Sequence, residues 1–232
     1  MRLPIDAEWP AVVAALDECG HVVLPAVLDG AECRDLAALY ADQAAFRSRV
    51  VMARHNFGRG EYQYLRYPLP PLVADLRAAL YPRLAPLANG WHERLRLDPR
   101  FPPRLDDYLV TCHAAGQRRP TPLILKYELG DYNCLHQDLY GEHVFPLQAT
   151  VLLSAPGQEF AGGEFLLVES RPRQQSRGEV VPLKQGDAVV FAVNDRPVQG
   201  ARGFYRARMR HGVSRLRAGR RFTLGVIFHD AA

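Results

Sequence analysis

Three residues of this chain, His136, Asp138 and His211, have the types and spacing to hold a catalytic metal, and Arg221 and Thr223 follow close behind. Two imidazoles and one carboxylate are the facial ligand set of non-haem iron(II), which leaves coordination positions open for reactants. In extended backbone, residues i and i+2 point to the same side of the pleat, so His136 and Asp138 can grip one face of an ion. His211 then closes the set from a distant strand. Arg221 and Thr223 repeat the i, i+2 spacing. A guanidinium and a hydroxyl on one strand face suit the distal carboxylate of a dicarboxylic acid, 2-oxoglutarate, whose other end would share the metal with dioxygen (O2). The same ligand set also suits catalytic zinc, but the pairing of Arg221 with Thr223 favours the oxoacid.

On these residues the chain resembles the Fe(II)/2-oxoglutarate-dependent dioxygenases. Tyr127-Glu128-Leu129-Gly130-Asp131, Gly162-Gly163-Glu164-Phe165, Lys184-Gln185-Gly186-Asp187, His211-Gly212-Val213 and the run Gly219 to Thr223 are similar to the prolyl-4-hydroxylase-like branch, over roughly the C-terminal half. The resemblance implies Fe(II) on His136, Asp138 and His211, and 2-oxoglutarate held by Arg221, Thr223 and Tyr127. It also implies that Gly162-Gly163-Glu164 lies at a strand entry and that Gly186-Asp187 forms a tight turn before a core strand. The longer segments 139–148 and 210–220 resemble a bacterial group of stand-alone oxygenases described as oxidative demethylases of damaged DNA. The chain departs from the AlkB-like demethylases in two ways: their Arg-x-Asn-x-x-x-x-x-Arg pattern after the second histidine is absent, and Leu125 stands where they carry asparagine. The cosubstrate pocket therefore reads as prolyl-hydroxylase-like, with a nucleic acid as one substrate class and a peptide or small molecule as the other. A catalytically silent jelly-roll that binds a partner is a third reading, which the intact triad disfavours.

Charge bears on the choice of partner. All but two of the 29 basic residues are arginine, and nine arginines with no acid fall between Arg196 and Arg221. Such a field attracts polyanions, and arginine forks match phosphate geometry. The alternative is pairing with Glu159, Glu164, Glu169 and Glu179 on neighbouring strands. Residues 51–71 mix Arg54, His55, Arg59 and Arg66 with Phe57, Tyr62, Tyr64 and Tyr67. That mixture suits a lid that clamps phosphates and stacks on an unstacked base, or else a glycine-hinged hairpin packed on the helix after Pro71. Arg59, Tyr62, Tyr64, His143 and Arg210 are the residues expected to meet substrate.

With 232 residues, 48% of them hydrophobic, the chain can bury a full core. The expected fold class is α+β, a double-stranded β-helix (jelly-roll) core with N-terminal flanking helices. One catalytic domain spans 1–232, with 1–120 as helical support and candidate substrate lid and 121–232 as the jelly-roll that carries the metal site. No stretch reaches the roughly 20 apolar residues of a membrane helix, and Asp6, Glu8 and Pro10 interrupt any secretory leader. A cytoplasmic protein with reduced Cys19, Cys33, Cys112 and Cys134 is the expectation.

Spacing predicts a helix over 7–19 ended by Gly20, a strand His21–Leu24, and a helix over 30–46 capped by Asp29. Prolines 82 and 86 should break the helical run 71–97 into pieces, and a proline-rich loop follows at 99–103. Strands are expected at 123–127, 147–153, 164–168, 188–193 and 222–228.

Overall fold

Period-two alternation sorts the central strands of this protein into two chemistries. Ile124, Ala149, Val151, Leu224 and Val226 enter the main apolar core, which they share with the helices. Their sequence neighbours Leu123, Leu125, Gln148, Thr150, Thr223 and Gly225 instead line a cavity on the other face. One face buries apolar area against helices and the other carries polar groups, as strands sandwiched in a two-layer fold require.

The computed structural model describes residues 1–4, 8–98 and 100–232. Ala7, the expected start of the first helix, and Pro99, the expected start of the proline-rich loop, lie outside the described residues. The helices are α1 (Trp9–Cys19), α2 (Gly30–Leu39), α3 (Pro71–Leu95) and α4 (Leu105–Ala114). The strands are β1 (His21–Leu24), β2 (Phe46–Val51), β3 (Gly58–Arg59), β4 (Glu61–Leu65), β5 (Leu123–Tyr127), β6 (Tyr132–His136), β7 (Leu147–Leu152) and β8 (Phe160–Gly162). They continue with β9 (Phe165–Ser170), β10 (Arg177–Val181), β11 (Ala188–Ala192), β12 (Asp195–Gly200), β13 (Gly203–Val213), β14 (Leu216–Gly219) and β15 (Arg221–Val226). A seven-stranded sheet runs β1-β11-β7-β15-β5-β4-β2, and a six-stranded sheet is built on β10-β9-β13-β6-β3 with β12 beside β13. The pairs are antiparallel, and the two sheets make the expected jelly-roll.

Local signals hold where they act locally. Gly20 ends α1 in the left-handed region at φ 77°, and Asp29 caps α2 by accepting from the Ala31 and Glu32 amides at 2.8 and 2.9 Å. The expected strands appear within two residues of their predicted ends.

Three expectations need correction. First, α2 stops at Leu39 rather than 46, because Asp42 caps a short 3-10 turn and Phe46–Val51 leaves to pair with β4. Second, α3 runs unbroken through Pro82 and Pro86. Each proline costs about 3 kcal/mol, but ten side chains on this helix are buried, and a large apolar one contributes roughly 1.5–3 kcal/mol. Third, the hairpin reading of 51–71 packs its tyrosines on the helix after Pro71, and Tyr64 is not placed there. Strands β2 and β4 form an edge of the larger sheet, and Tyr64 packs with Leu123 and Ile227 rather than on α3. Helix α4 had no predicted counterpart. Among the described residues no helix is long and apolar enough to cross a membrane.

Candidate active site

The cavity floor is made by regular strands. In register, Arg221 faces Tyr127 and Thr223 faces Leu125 across β15 and β5, while Gly225 faces Thr150 of β7. Arg221 is 1% exposed, and its Nη1 donates to Thr223 Oγ1 at 2.6 Å. The guanidinium lies over the Tyr127 ring at 5.5 Å, and the Asn133 amide donates to the Tyr127 hydroxyl at 3.3 Å. Among the described residues Arg221 forms no ion pair, and its buried Nε has no hydrogen-bond partner. Burial pushes this guanidinium down to about 10, so it still carries its charge at neutral pH. A buried cation with a spare donor is unfavourable until an anion reaches it. The site therefore fits a carboxylate.

The metal wall comes from β6 and β13. His136 and His211 are cross-strand partners with rings 4.2 Å apart. Asp138 lies two residues past His136, with Oδ1 3.4 Å from His136 Nε2 and Oδ2 3.4 Å from His211 Nε2. One ligand atom from each of the three lies within 4.8 Å of the others, and the two carboxylate–imidazole separations of 3.4 Å fit bonds of about 2.1 Å to a common ion. His136 Nδ1 is 2.8 Å from the Cys134 carbonyl, so that nitrogen is the donor and Nε2 is left for a metal. The Tyr140 hydroxyl donates to Asp138 Oδ1 at 2.6 Å. Burial pulls the Asp138 carboxyl up, but the two histidines outweigh it and hold the group well below the usual carboxylate range. Burial lowers His136, yet hydrogen bonding and charge from Asp138 leave it raised; His211 is lowered by burial and by His136. The trio thus favours a carboxylate beside a neutral His211, two of the three ligands already in the protonation state a divalent ion needs.

A β-bulge sets this wall. Between the pairs His211 with His136 and Val213 with Asn133, β13 advances two residues while β6 advances three. Cys134 and Leu135 absorb the extra step, and both are exposed. Strict alternation would place Asn133 and His136 on opposite faces, whereas the bulge turns both into the cavity.

Of the five residues expected to meet substrate, Tyr62 lines the cavity. Tyr64 lies behind it, buried, edge-on to Tyr62 and Tyr140. Arg59 lies outside, exposed, 3.8 Å from Asp131. His143 is also outside, where its backbone is bonded on both sides to the Gln117 amide. Arg210 neighbours His211 on β13, so alternation sends it to the opposite face. The arginine field is partly neutralised: Arg196 pairs with buried Glu169, Arg217 with Glu164, Arg220 with Glu128, and Arg206 and Arg208 with Asp195. Sequence reasoning missed Asn133, Gln148, Thr150 and Tyr140. Gln148 and Thr150 sit two apart on β7, a signal that was readable; Asn133 was hidden by the bulge.

Fold and site together define the class of 2-oxoglutarate–Fe(II) oxygenases. Residues 60–231 match the Oxygenase-NA family, described as "Oxygenase, catalysing oxidative methylation of damaged DNA", and the chain belongs to that family. It is 48% identical over 197 residues to an uncharacterized protein of Mycobacterium tuberculosis found in two strains, covering 83% of this chain and 84% of the relative. Its fold is similar to that of a Pseudomonas putida prolyl-4-hydroxylase, with TM-score 0.56, 17% identity, and coverage of 94% of this chain and 96% of the other. It is also similar to a 2OG-Fe(II) oxygenase family oxidoreductase from Burkholderia pseudomallei, with TM-score 0.53, 19% identity, and coverage of 100% and 96%.

Proposed function

We propose that this protein is an oxidative demethylase of alkylated nucleic acid, acting as one catalytic domain. Iron(II) would be held by His136 Nε2, Asp138 and His211 Nε2, and the distal carboxylate of 2-oxoglutarate by Arg221 and Thr223 beside Tyr127. The observation that carries the chemistry is the buried, unpaired Arg221 in the same cavity as the His136, Asp138 and His211 trio.

Bound there, iron(II) and 2-oxoglutarate supply the oxidising power: O2 is consumed, 2-oxoglutarate becomes succinate and carbon dioxide, and one oxygen atom enters a substrate C–H bond. The chain's residues do the positioning. Cys134 O fixes the His136 tautomer, Tyr140 steadies Asp138, and Asn133 anchors Tyr127. Leu123, Leu125, Phe165 and Val213 wall the cavity with apolar surface that excludes water. Hydroxylation of an N-methyl group gives a product that releases formaldehyde and the free amine.

Two observations support nucleic acid as the substrate. The family description names damaged DNA. At the cavity rim Phe57 is 48% exposed and stacks on His55 at 5.3 Å. Exposed Arg54 and Arg59 flank that pair in sequence, and exposed Arg215 lies over Tyr132 of the adjoining β6. An aromatic platform among cations suits a base and its phosphates.

The test is to load the protein with iron anaerobically, add 2-oxoglutarate, admit oxygen, and measure succinate and formaldehyde with and without a methylated oligonucleotide. Formaldehyde that depends on the oligonucleotide is expected. Succinate without formaldehyde redirects the substrate search to peptides and small molecules. Neither product, in protein shown to hold iron, removes the enzymatic reading.

A further inference from the structure

The bulge in β6 is gripped by a glycine on each side. A Cβ on Gly212 of β13 would stand 2.8 Å from Asn133 O and 3.3 Å from the Cys134 carbonyl carbon and oxygen. A Cβ on Gly58 of β3 would collide with Tyr132 O and stand 3.1 Å from Asn133 Cα. All of these are backbone atoms, so no side-chain rotation relieves the contact; the strand itself would have to shift. The Cys134 carbonyl is the group that accepts from His136 Nδ1 at 2.8 Å. Gly212 also adjoins His211, the cross-strand partner of His136. One residue without a side chain therefore touches the placement of both imidazoles.

We propose that Gly212 is a positioning residue of the metal centre. Its bare α-carbon lets the Cys134 carbonyl close on His136, which fixes that imidazole's tautomer and aims Nε2 at Asp138. This rests on the reading of His136, Asp138 and His211 as metal ligands. Groups that orient a ligand histidine through its other nitrogen commonly set metal affinity, and here the orienting group is a bulge carbonyl that exists only because β13 leaves room for it. Gly58 supports the bulge from the opposite side, but its φ of +128° means any side chain there is also strained. Gly212 lies outside the left-handed region, so substituting it tests space alone.

The experiment compares Gly212→Ala with Gly178→Ala, a β10 position where an added Cβ meets nothing within 4 Å. Each full-length variant is titrated with Co(II) by absorption, melted without metal, and examined by nitrogen-15 NMR of its histidine rings. Gly212→Ala is expected to bind Co(II) about 10- to 100-fold more weakly and to lose the protected His136 Nδ1–H signal, while Gly178→Ala keeps both. Unchanged Co(II) affinity in folded Gly212→Ala overturns the proposal, as does a lower melting temperature with affinity intact. If the variant does not fold, the unmodified metal-free protein decides. Its His136 must show the Nδ1–H tautomer coupled to the Cys134 carbonyl, and an Nε2–H tautomer overturns the idea. Unmodified protein that takes up no metal defeats the ligand reading instead, and leaves the tautomer measurement to judge the clamp.

Discussion

The floor of the cavity and its metal wall solve the same problem by different means. On the floor, β5, β7 and β15 keep strict alternation, so side chains two residues apart share the cavity face, leucines on β5 and polar groups on β7 and β15, and their neighbours fill the core. On the wall, β6 breaks alternation with an inserted residue, and its function depends on a backbone carbonyl and on space left by glycine. A regular strand can carry binding groups with no help beyond its pleat. Aiming three ligands at one point needed a local departure from it, which is where bulges concentrate.

The sharpest way to break this contrast is to delete a group from each side. Asp138→Ala removes the wall's carboxylate and leaves two histidines without the group that accepts a hydrogen bond from Tyr140. Succinate production should fall to background and Co(II) uptake should be lost, with the melting temperature of the metal-free protein preserved. Turnover retained in this variant would remove Asp138 from the ligand set.

The next largest effect concerns what lies beneath the wall. His229 is buried, accepts from the Phe145 amide at 3.2 Å, and its ring lies 6.2 Å from that of Tyr140. Burial pushes this imidazole down to about 4 from an ordinary value of 6.5. Between those pH values the unfolded chain binds the proton and the folded chain does not, so stability rises with pH across that window. The contribution is complete above about pH 6.5 and is lost as pH falls toward 4. At 1.36 kcal/mol for each pH unit of difference, the loss is about 3 kcal/mol. Denaturant titrations of metal-free protein at pH 7, 5.5 and 4.5 should show a steeper decline than in His229→Asn. Equal declines would mean that the imidazole is not held neutral.

On the floor, Arg221→Met should raise KM for 2-oxoglutarate about 10- to 100-fold, since a charge-assisted hydrogen bond is worth roughly 1.5–3 kcal/mol. Co(II) affinity should stay unchanged, because Arg221 touches no ligand of the trio. The same variant relieves a buried unpaired cation, so its melting temperature should not fall. A shift in metal affinity with no change in KM would show that floor and wall are not separate.

What the sequence made legible follows the same division. The pairing of His136 with Asp138, and of Arg221 with Thr223, could be read from i, i+2 spacing, and the floor obeys that rule without exception. Asp29 and Gly20 could be read because caps are decided within three or four residues. The end of α2 could not, since Phe46–Val51 leaves helical periodicity only because β4 waits beside it. The passage of α3 through two prolines was equally hidden, because burial of residues such as Leu80, Leu84 and Trp91 is a tertiary event. Asn133 was assigned to no role for a similar reason: an inserted residue reverses which face it takes, and no residue type in Asn133-Cys134-Leu135-His136 announces the insertion.

The smallest expected effect tests how far the wall's rigidity extends beyond its ligands. Tyr140 donates at 2.6 Å to the same carboxylate oxygen that lies 3.4 Å from His136 Nε2. Its ring packs edge-on to Tyr64, whose own edge meets Tyr62 in the cavity, so one tyrosine column ties the β4 edge to the metal wall. Tyr140→Phe keeps the packing and deletes the donor. Partners of ligating carboxylates commonly tune affinity, and loss of this one should weaken Co(II) binding by about tenfold, while KM for 2-oxoglutarate measured at saturating iron stays put. A larger loss in Tyr64→Leu than in Tyr140→Phe would reverse the order and make the column's packing, rather than the hydroxyl, the means by which Asp138 is held.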